Sequence, residues 1–271
     1  MRLALTITFI ITLAVCGIAT DHPKIFIWDN DIGGTFPNPD NMSQFIGTEV
    51  NLRAALLANG YTDITMSTTL PYDLSQYTVV FVLDGMFPYT GTITDNYQNI
   101  LVDYLHSQSG RLYIEGGDFG YNYRNGPLFS YLGAAYKYDG FAYQHGNVHH
   151  ALGAPSSFAS GLSFNYPGYQ SNISDNYLDE IDTDLDPLTN SFLVFSSDSQ
   201  GQQSNGRCVA YKNTQRTNNY HTIYSTFIFS GLQNGSGNNT RNHLMSLYMD
   251  FFEWTIGVEP TTLGNIKALY R

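Results

Sequence analysis

Over roughly the first 120 positions the chain alternates between continuous apolar runs and stretches of helical periodicity. Ile25-Phe26-Ile27-Trp28 is apolar throughout and stops at Asp29-Asn30-Asp31 and Gly33-Gly34, the pattern of a buried strand that ends in a loop. A helix is predicted from about Ser43 to Asn59, with Ile46, Val50, Ala54 and Leu57 inward and Gly60 closing it. Tyr61 to Met66 alternates like a second strand, and Val79 to Leu83 is a continuous apolar third that ends at Asp84-Gly85. A second helix is predicted from Asp95, paired with Gln98 as a cap, to Ser109, with Tyr97, Leu101, Tyr104 and Leu105 inward. Leu112-Tyr113-Ile114 reads as a fourth strand.

From Tyr121 to about Asn190 the pattern loosens into short motifs broken by Gly, Pro and Asn. Regularity returns with strands predicted at Ser191 to Ser196, Arg207 to Tyr211 and Thr222 to Phe229. A closing helix follows from Thr240 to Thr255, with Leu244, Leu247, Tyr248, Phe251 and Phe252 on one face. The alternation predicts an α/β fold: a doubly wound, mostly parallel sheet with helices on both faces, flavodoxin-like, with an irregular Tyr-rich insertion in the middle.

Composition bounds the setting. The chain has 271 residues, 42% of them hydrophobic and 15% aromatic, ample for one substantial core. Met1 to Ala19 carries Arg2, an apolar run from Leu3 to Val15 and the small residues Gly17 and Ala19, the pattern of a cleaved signal peptide. That run is shorter than the roughly 20 residues of a spanning helix, so the mature chain is expected to have no membrane span. The organisation expected is a leader at 1–19, one α/β domain at 20–257 and a tail or linker remnant at 258–271. The product is expected to be secreted or held at the cell surface. Cys16, in Leu13-Ala14-Val15-Cys16, offers lipid attachment as a less favoured route, because Val15 stands where a small residue belongs. With Cys16 removed, Cys208 has no partner for an intrachain disulfide. The net charge of −11 argues against nucleic acid and anionic membrane as partners.

Candidate chemistry gathers at the predicted strand ends, where ligands sit in such sheets. Arg111 to Glu115 runs into Gly116-Gly117-Asp118-Phe119-Gly120, the Gly-x-nucleophile-x-Gly spacing of a strand-to-helix elbow with aspartate at its centre. Asp118 and Glu115 are therefore the candidate catalytic pair, although Asp118 also suits a plain helix or turn cap. Asp29, Asp31 and Asp84, gathered with these two, would form a site for Ca²⁺ or Mg²⁺; otherwise no cofactor is expected. Tyr121, Tyr123, Tyr138 and Tyr143 are candidate ligand-binding residues, because aromatic faces stack on sugars and phenols bond hydroxyls. His145 and His149 have zinc-like spacing but lack the intervening acid of a protease helix. Asp182, Asp184 and Asp186 open like a calcium loop, with Pro187 in the glycine position excluding an EF-hand. A base for Asp118 would have to be His221 or His243.

Four segments together resemble the class I glutamine amidotransferase-like superfamily: Ile27 to Asp31 with Gly33-Gly34, Asp73 to Phe81, Gly110 to Asp118, and Tyr224 to Gly231. The resemblance implies a flavodoxin-like fold and places the family's nucleophilic cysteine at Asp118 and its His-x-Glu near Phe227 to Phe229. The Cys-His-Glu triad is absent, so the likeness is to an exported bacterial branch without glutaminase activity. The function expected is a non-catalytic binding or scaffold module with an extracellular glycan or protein as partner. The alternatives are a hydrolase or metal-dependent enzyme built on Asp118, and a carbohydrate-binding surface formed by the Tyr-rich loop.

Overall fold

Ile25–Asp29 forms β1, an all-apolar strand closed by aspartate. A hairpin of β2 (Phe36–Asn38) and β3 (Asn41–Ile46) follows, then helix α1 (Thr48–Ala58), β4 (Ile64–Ser67) and β5 (Val79–Leu83). Helix α2 (Asp95–Gln108) leads to β6 (Arg111–Glu115) and the short α3 (Phe119–Tyr123). The middle of the chain supplies β7 (Ala134–Tyr138), β8 (His150–Gly153), β9 (Ser163–Asn165) and β10 (Glu180–Thr183). It closes with β11 (Ser191–Asp198), β12 (Asn205–Lys212), β13 (His221–Ser225) and α4 (Arg241–Phe251). This computed structural model describes residues 22–31, 33–85, 92–140, 148–167, 178–184, 190–198, 205–213 and 218–254. The leader at 1–19 with Cys16, Tyr143, His145 and the tail at 258–271 lie outside the described residues.

Nine strands make one sheet in the order β4-β1-β5-β6-β13-β12-β11-β8-β9. The first five are parallel, and counted by themselves they follow the order 2-1-3-4-5 of flavodoxin-like folds. Beyond β13 every pairing is antiparallel, so the sheet is mixed, with its parallel half at one side. The alternation along each parallel strand divides the core cleanly. Ile25, Ile27, Val79, Phe81 and Tyr113 face α1 and α4, where Leu52, Leu56, Leu244 and Tyr248 are fully buried. Phe26, Trp28, Val80, Val82, Leu112 and Ile114 face α2 and α3, against Leu101, Leu105 and Phe119. Each such side chain contributes roughly 1.5–3 kcal/mol by leaving water.

Three elements differ from the periodicity reading. The predicted first helix gives its opening turn to the β2–β3 hairpin, and its buried face is Asn51, Leu52, Ala55 and Leu56, leaving Val50 and Leu57 exposed. Apolar residues occur around the whole helix, so spacing alone selects no face. At the start of α2 the cap is Thr94, whose Oγ1 accepts the Tyr97 amide at 3.4 Å, rather than Asp95. The middle segment is also less irregular than its sequence suggests. β7 and β10 pair antiparallel, and β10 lies close over β12 at Gly206, where a Cβ would sit 2.1 Å from the Ile181 carbonyl oxygen.

Candidate functional site

The parallel strands leave the sheet at one edge, and their exits are acidic. Asp29 ends β1 and Asn30 and Asp31 follow it, Asp84 follows β5, and Glu115 ends β6. Asn30 spans the switch point between β1 and β5, where ligands of such sheets bind, by donating its amide to Asp84 Oδ1 at 2.7 Å. Glu115 is fully buried; its Oε2 accepts the Tyr113 hydroxyl at 2.7 Å and the Phe229 amide at 2.8 Å, while Oε1 has no hydrogen-bond partner.

The elbow lies just beyond β6 and is fastened on three sides by backbone bonds. Gly116 N–H donates to Ser225 at 3.1 Å, Gly117 N–H to Gly85 at 3.0 Å, and Asp179 N–H to the Gly117 carbonyl at 2.8 Å. The glycines of the motif answer to close packing. A Cβ on Gly116 would meet Asp84 Cβ at 3.1 Å, and one on Gly120 would meet Asp179 Oδ2 at 2.9 Å and the Tyr224 hydroxyl oxygen at 3.1 Å. Asp118 takes the N-cap position of α3 without using its side chain as a cap, and its buried Oδ1 has no partner. The expectation that Asp118 could serve as a simple cap is therefore corrected.

One oxygen each from Asp118, Asp139 and Asp179 lie within 4.8 Å of one another. Asp139 follows β7 and Asp179 precedes β10, so pairing of these two strands delivers both acids to the elbow. Asp179 is fully buried; Oδ2 accepts the Tyr121 amide at 2.8 Å and Oδ1 has no partner. Arg207 of β12, also fully buried, holds this segment by donating to the Leu178 and Asp179 carbonyls at 2.7 and 2.8 Å and to Ser197 Oγ at 2.8 Å.

Burial is the dominant influence on every acid here and favours the protonated form. It raises Asp84, Glu115 and Asp179 each to about 8, Asp118 to about 7 and Asp31 to about 6. Neighbouring carboxyls add to it: Asp139 raises Asp118, and Asp118 and Asp31 both raise Asp84. Opposing effects are local, from the Asn30 amide at Asp84 and from Thr48 at Asp31. Asp29 is raised by burial and then by Glu49, and burial also raises Asp139 against the pull of Arg124.

The acids expected from sequence reach the same edge in two groups. Among the described residues the three-carboxylate group forms from Asp118, Asp139 and Asp179, so Asp29, Asp31 and Asp84 are not the trio that converges. Tyr121 and Tyr138 are 47% and 56% exposed and adjoin the group, one through the Tyr121 amide on Asp179 and the other as chain neighbour of Asp139. Tyr123 turns inward instead. Its ring lies 5.0 Å from Phe119 and its hydroxyl accepts the Ile93 amide at 3.0 Å, so it packs beneath the elbow helix rather than beside the exposed Tyr121 and Tyr138. Tyr136 was missed: with Tyr121 it sandwiches the Arg124 guanidinium at 4.8 and 5.1 Å.

Of the two histidines expected to serve Asp118, His243 lies in the first turn of α4 and His221 is at the far end of β13. His221 begins β13 opposite Arg111, whereas the elbow follows Glu115 at the other end of the paired strands, about 13 Å away at strand rise. Its ring is committed, with Nδ1 2.9 Å from the Phe251 carbonyl and Nε2 3.2 Å from Asn219 Oδ1, and burial lowers it to about 4. The positions aligned with a late His-x-Glu, Phe227 and Phe229, are fully buried aromatics.

No helix among the described residues is long and apolar enough to cross a membrane. No protein-family profile and no curated protein matches the chain. Among solved structures, a Thermoplasma acidophilum protein described as a candidate GMP synthase subunit superposes at a TM-score of 0.44 with 12% identity, covering 92% of this chain and 98% of that one. At that level nothing about residues or chemistry transfers, and what stands is a nine-stranded mixed α/β sheet, parallel in its core and of flavodoxin-like type.

Proposed function

We propose that this chain is a non-catalytic binding module, exported from its cell, whose ligand is a glycan taken at the acidic edge of the parallel sheet. In this reading the fold is of amidotransferase-like descent and Asp118, at the elbow, binds rather than attacks. The observation that carries it is the separation of Asp118 from His221 along the full length of paired β6 and β13. A carboxylate nucleophile needs a base to release the ester it forms, and the length of β6 and β13 lies between Asp118 and His221. Tyr121 and Tyr138 supply exposed aromatic faces beside the carboxyls, the combination that stacks on sugar rings and bonds their hydroxyls.

Glycan-array binding tests the reading. Signal is expected for the wild type and is expected to vanish in Tyr121→Ala and Tyr138→Ala, while Tyr72→Ala, at an 84% exposed tyrosine in the β4–β5 connection, keeps it. Uniform loss or uniform retention across the three variants defeats the assignment. A hydrolase is the second reading, favoured by the two adjacent proton-carrying carboxyls Asp84 and Asp118. Turnover of glycoside or ester substrates that Asp118→Asn abolishes would replace the binding module with that enzyme.

A further inference from the structure

We propose that Asp118, Asp139 and Asp179 hold a hard divalent cation of the Ca²⁺ type, with the Tyr224 hydroxyl facing the same space. All three donors are carboxylate oxygens, one from each residue, within 4.8 Å of one another. Two oxygens bound at about 2.4 Å to a shared Ca²⁺ lie at most about 4.8 Å apart, so oxygens within that bound can share one ion. The set contains no nitrogen or sulfur and suits a hard cation better than zinc.

A cluster of acids alone would not suffice, and a second, independent feature points the same way. Tyr224, on β13, is fully buried, and its hydroxyl has no hydrogen-bond partner of normal geometry, only the pull of the nearby Gly120 amide. That oxygen and Asp179 Oδ2 converge on the space left by the missing side chain of Gly120, at 3.1 and 2.9 Å from where a Cβ would stand. Buried polar groups without partners are rare because each costs about 1–3 kcal/mol. Three such atoms belong to the residues of this group: Asp118 Oδ1, Asp179 Oδ1 and the Tyr224 hydroxyl.

The surroundings hold the donors ready. Arg207 fixes the backbone at Asp179, the Tyr121 amide donates to Asp179 Oδ2 and orients that carboxylate, and the triply bonded elbow sets Asp118. Asp139 is only partly buried and leaves a side open to solvent. Arg124, the cation beside Asp139, is occupied between two tyrosine rings and on the Tyr121 carbonyl. A bound cation would keep all three carboxyls ionised, and water would complete the six to eight oxygens that Ca²⁺ takes.

Terbium titration of the chelator-treated full chain tests this, because Tb³⁺ substitutes for Ca²⁺ and emits when excited through a nearby tyrosine. Saturable emission at one ion per chain, displaced by Ca²⁺, is expected in the wild type. At least a tenfold weakening is expected in Asp139→Asn and Asp179→Asn. Asp182→Asn, on β10 and paired with Lys137 at 3.6 Å, should bind as the wild type does. Absence of saturable emission overturns the proposal, as does undiminished binding in Asp139→Asn. If Asp179→Asn fails to fold by circular dichroism, the partly exposed Asp139 variant decides the question alone.

Discussion

The guanidinium of Arg207 and the backbone of Asp179 form a long-range link at the elbow, a buried cation donating to the Asp179 carbonyl at 2.8 Å while the acid's own side chain turns toward Asp118. The geometry separates two tasks, since Arg207 holds the chain and leaves the carboxylate available. Burial lowers the Arg207 pKa to about 10, against the favourable charges of Glu180 and Asp179, so it stays protonated at neutral pH. Arg207→Met removes the donors to Leu178, Asp179 and Ser197 and leaves those acceptors buried. A loss of about 3–5 kcal/mol is expected in urea unfolding, in line with broken buried charge networks. Arg207→Lys retains the charge but not the planar fork and should recover only part of it. A wild-type midpoint in Arg207→Met would show that the network carries no stability.

Glu115 gives the fold a specific pH dependence. Its carboxyl is raised from 4.5 to about 8 by burial, so between those values the folded chain holds a proton that the unfolded chain has released. Stability from this group is therefore greatest below pH 4.5, falls as pH rises through the window, and is lowest above 8. His221 runs the other way, being lowered to about 4, so its contribution is lost as pH drops from 6.5. Glu115→Gln isolates the first effect, because the amide oxygen can still accept from Tyr113 and Phe229. In chelator-treated protein, Glu115→Gln should melt close to wild type at pH 5 and above it at pH 8, by the order of a few kcal/mol. Parallel melting curves across that range would mean that Glu115 ionises as freely in the folded chain as in water.

How much of this was legible in the chain depended on how far the partners lay apart. The parallel half was readable because strands buried on both faces are continuous apolar runs, and the elbow because Gly116 and Gly120 mark places where a Cβ would collide. The trio was not readable. Asp139 and Asp179 come from segments that resemble loops and meet Asp118 only through the β7–β10 pairing. One signal was present: Arg207 opens an apolar strand segment, Cys208 to Tyr211, where a buried cation must find partners. The exposed Val50 and Leu57 misled the helix face for the opposite reason, since apolar residues are tolerated singly on a surface.

Helix α1 is capped from a distance. Its N-cap residue is Gly47, which has no side chain to offer, and Ser230 supplies the missing oxygen from a turn almost at the end of the sheet domain. Ser230 Oγ accepts the Asn51 and Leu52 amides at 3.2 and 3.1 Å and donates to the Thr48 carbonyl. Ser230→Ala should cost about 0.5–2 kcal/mol, the range for loss of a cap, and Ser230→Thr should retain most of it. Denaturant midpoints check both, and an unchanged midpoint in the alanine variant would mean that water replaces the hydroxyl.

Placing a thiol at the elbow tests whether its surroundings can activate a nucleophile. In Asp118→Cys the sulfur would sit at the centre of the elbow after β6, but nothing in the surrounding charge favours a thiolate. Asp84, Asp139 and Asp179 place acidic groups around it, and His221 stays at the far end of β13. Burial and neighbouring carboxylates both raise a thiol above its usual value of about 8.5. Alkylation by iodoacetamide at pH 7 should therefore be slower than for free cysteine. Cys208, buried and itself pushed up by burial, contributes no background in the folded chain. Glutaminase activity is not expected to appear. Rapid alkylation at pH 6 would reveal a base that activates position 118, and with it the binding-module reading would give way to a hydrolase.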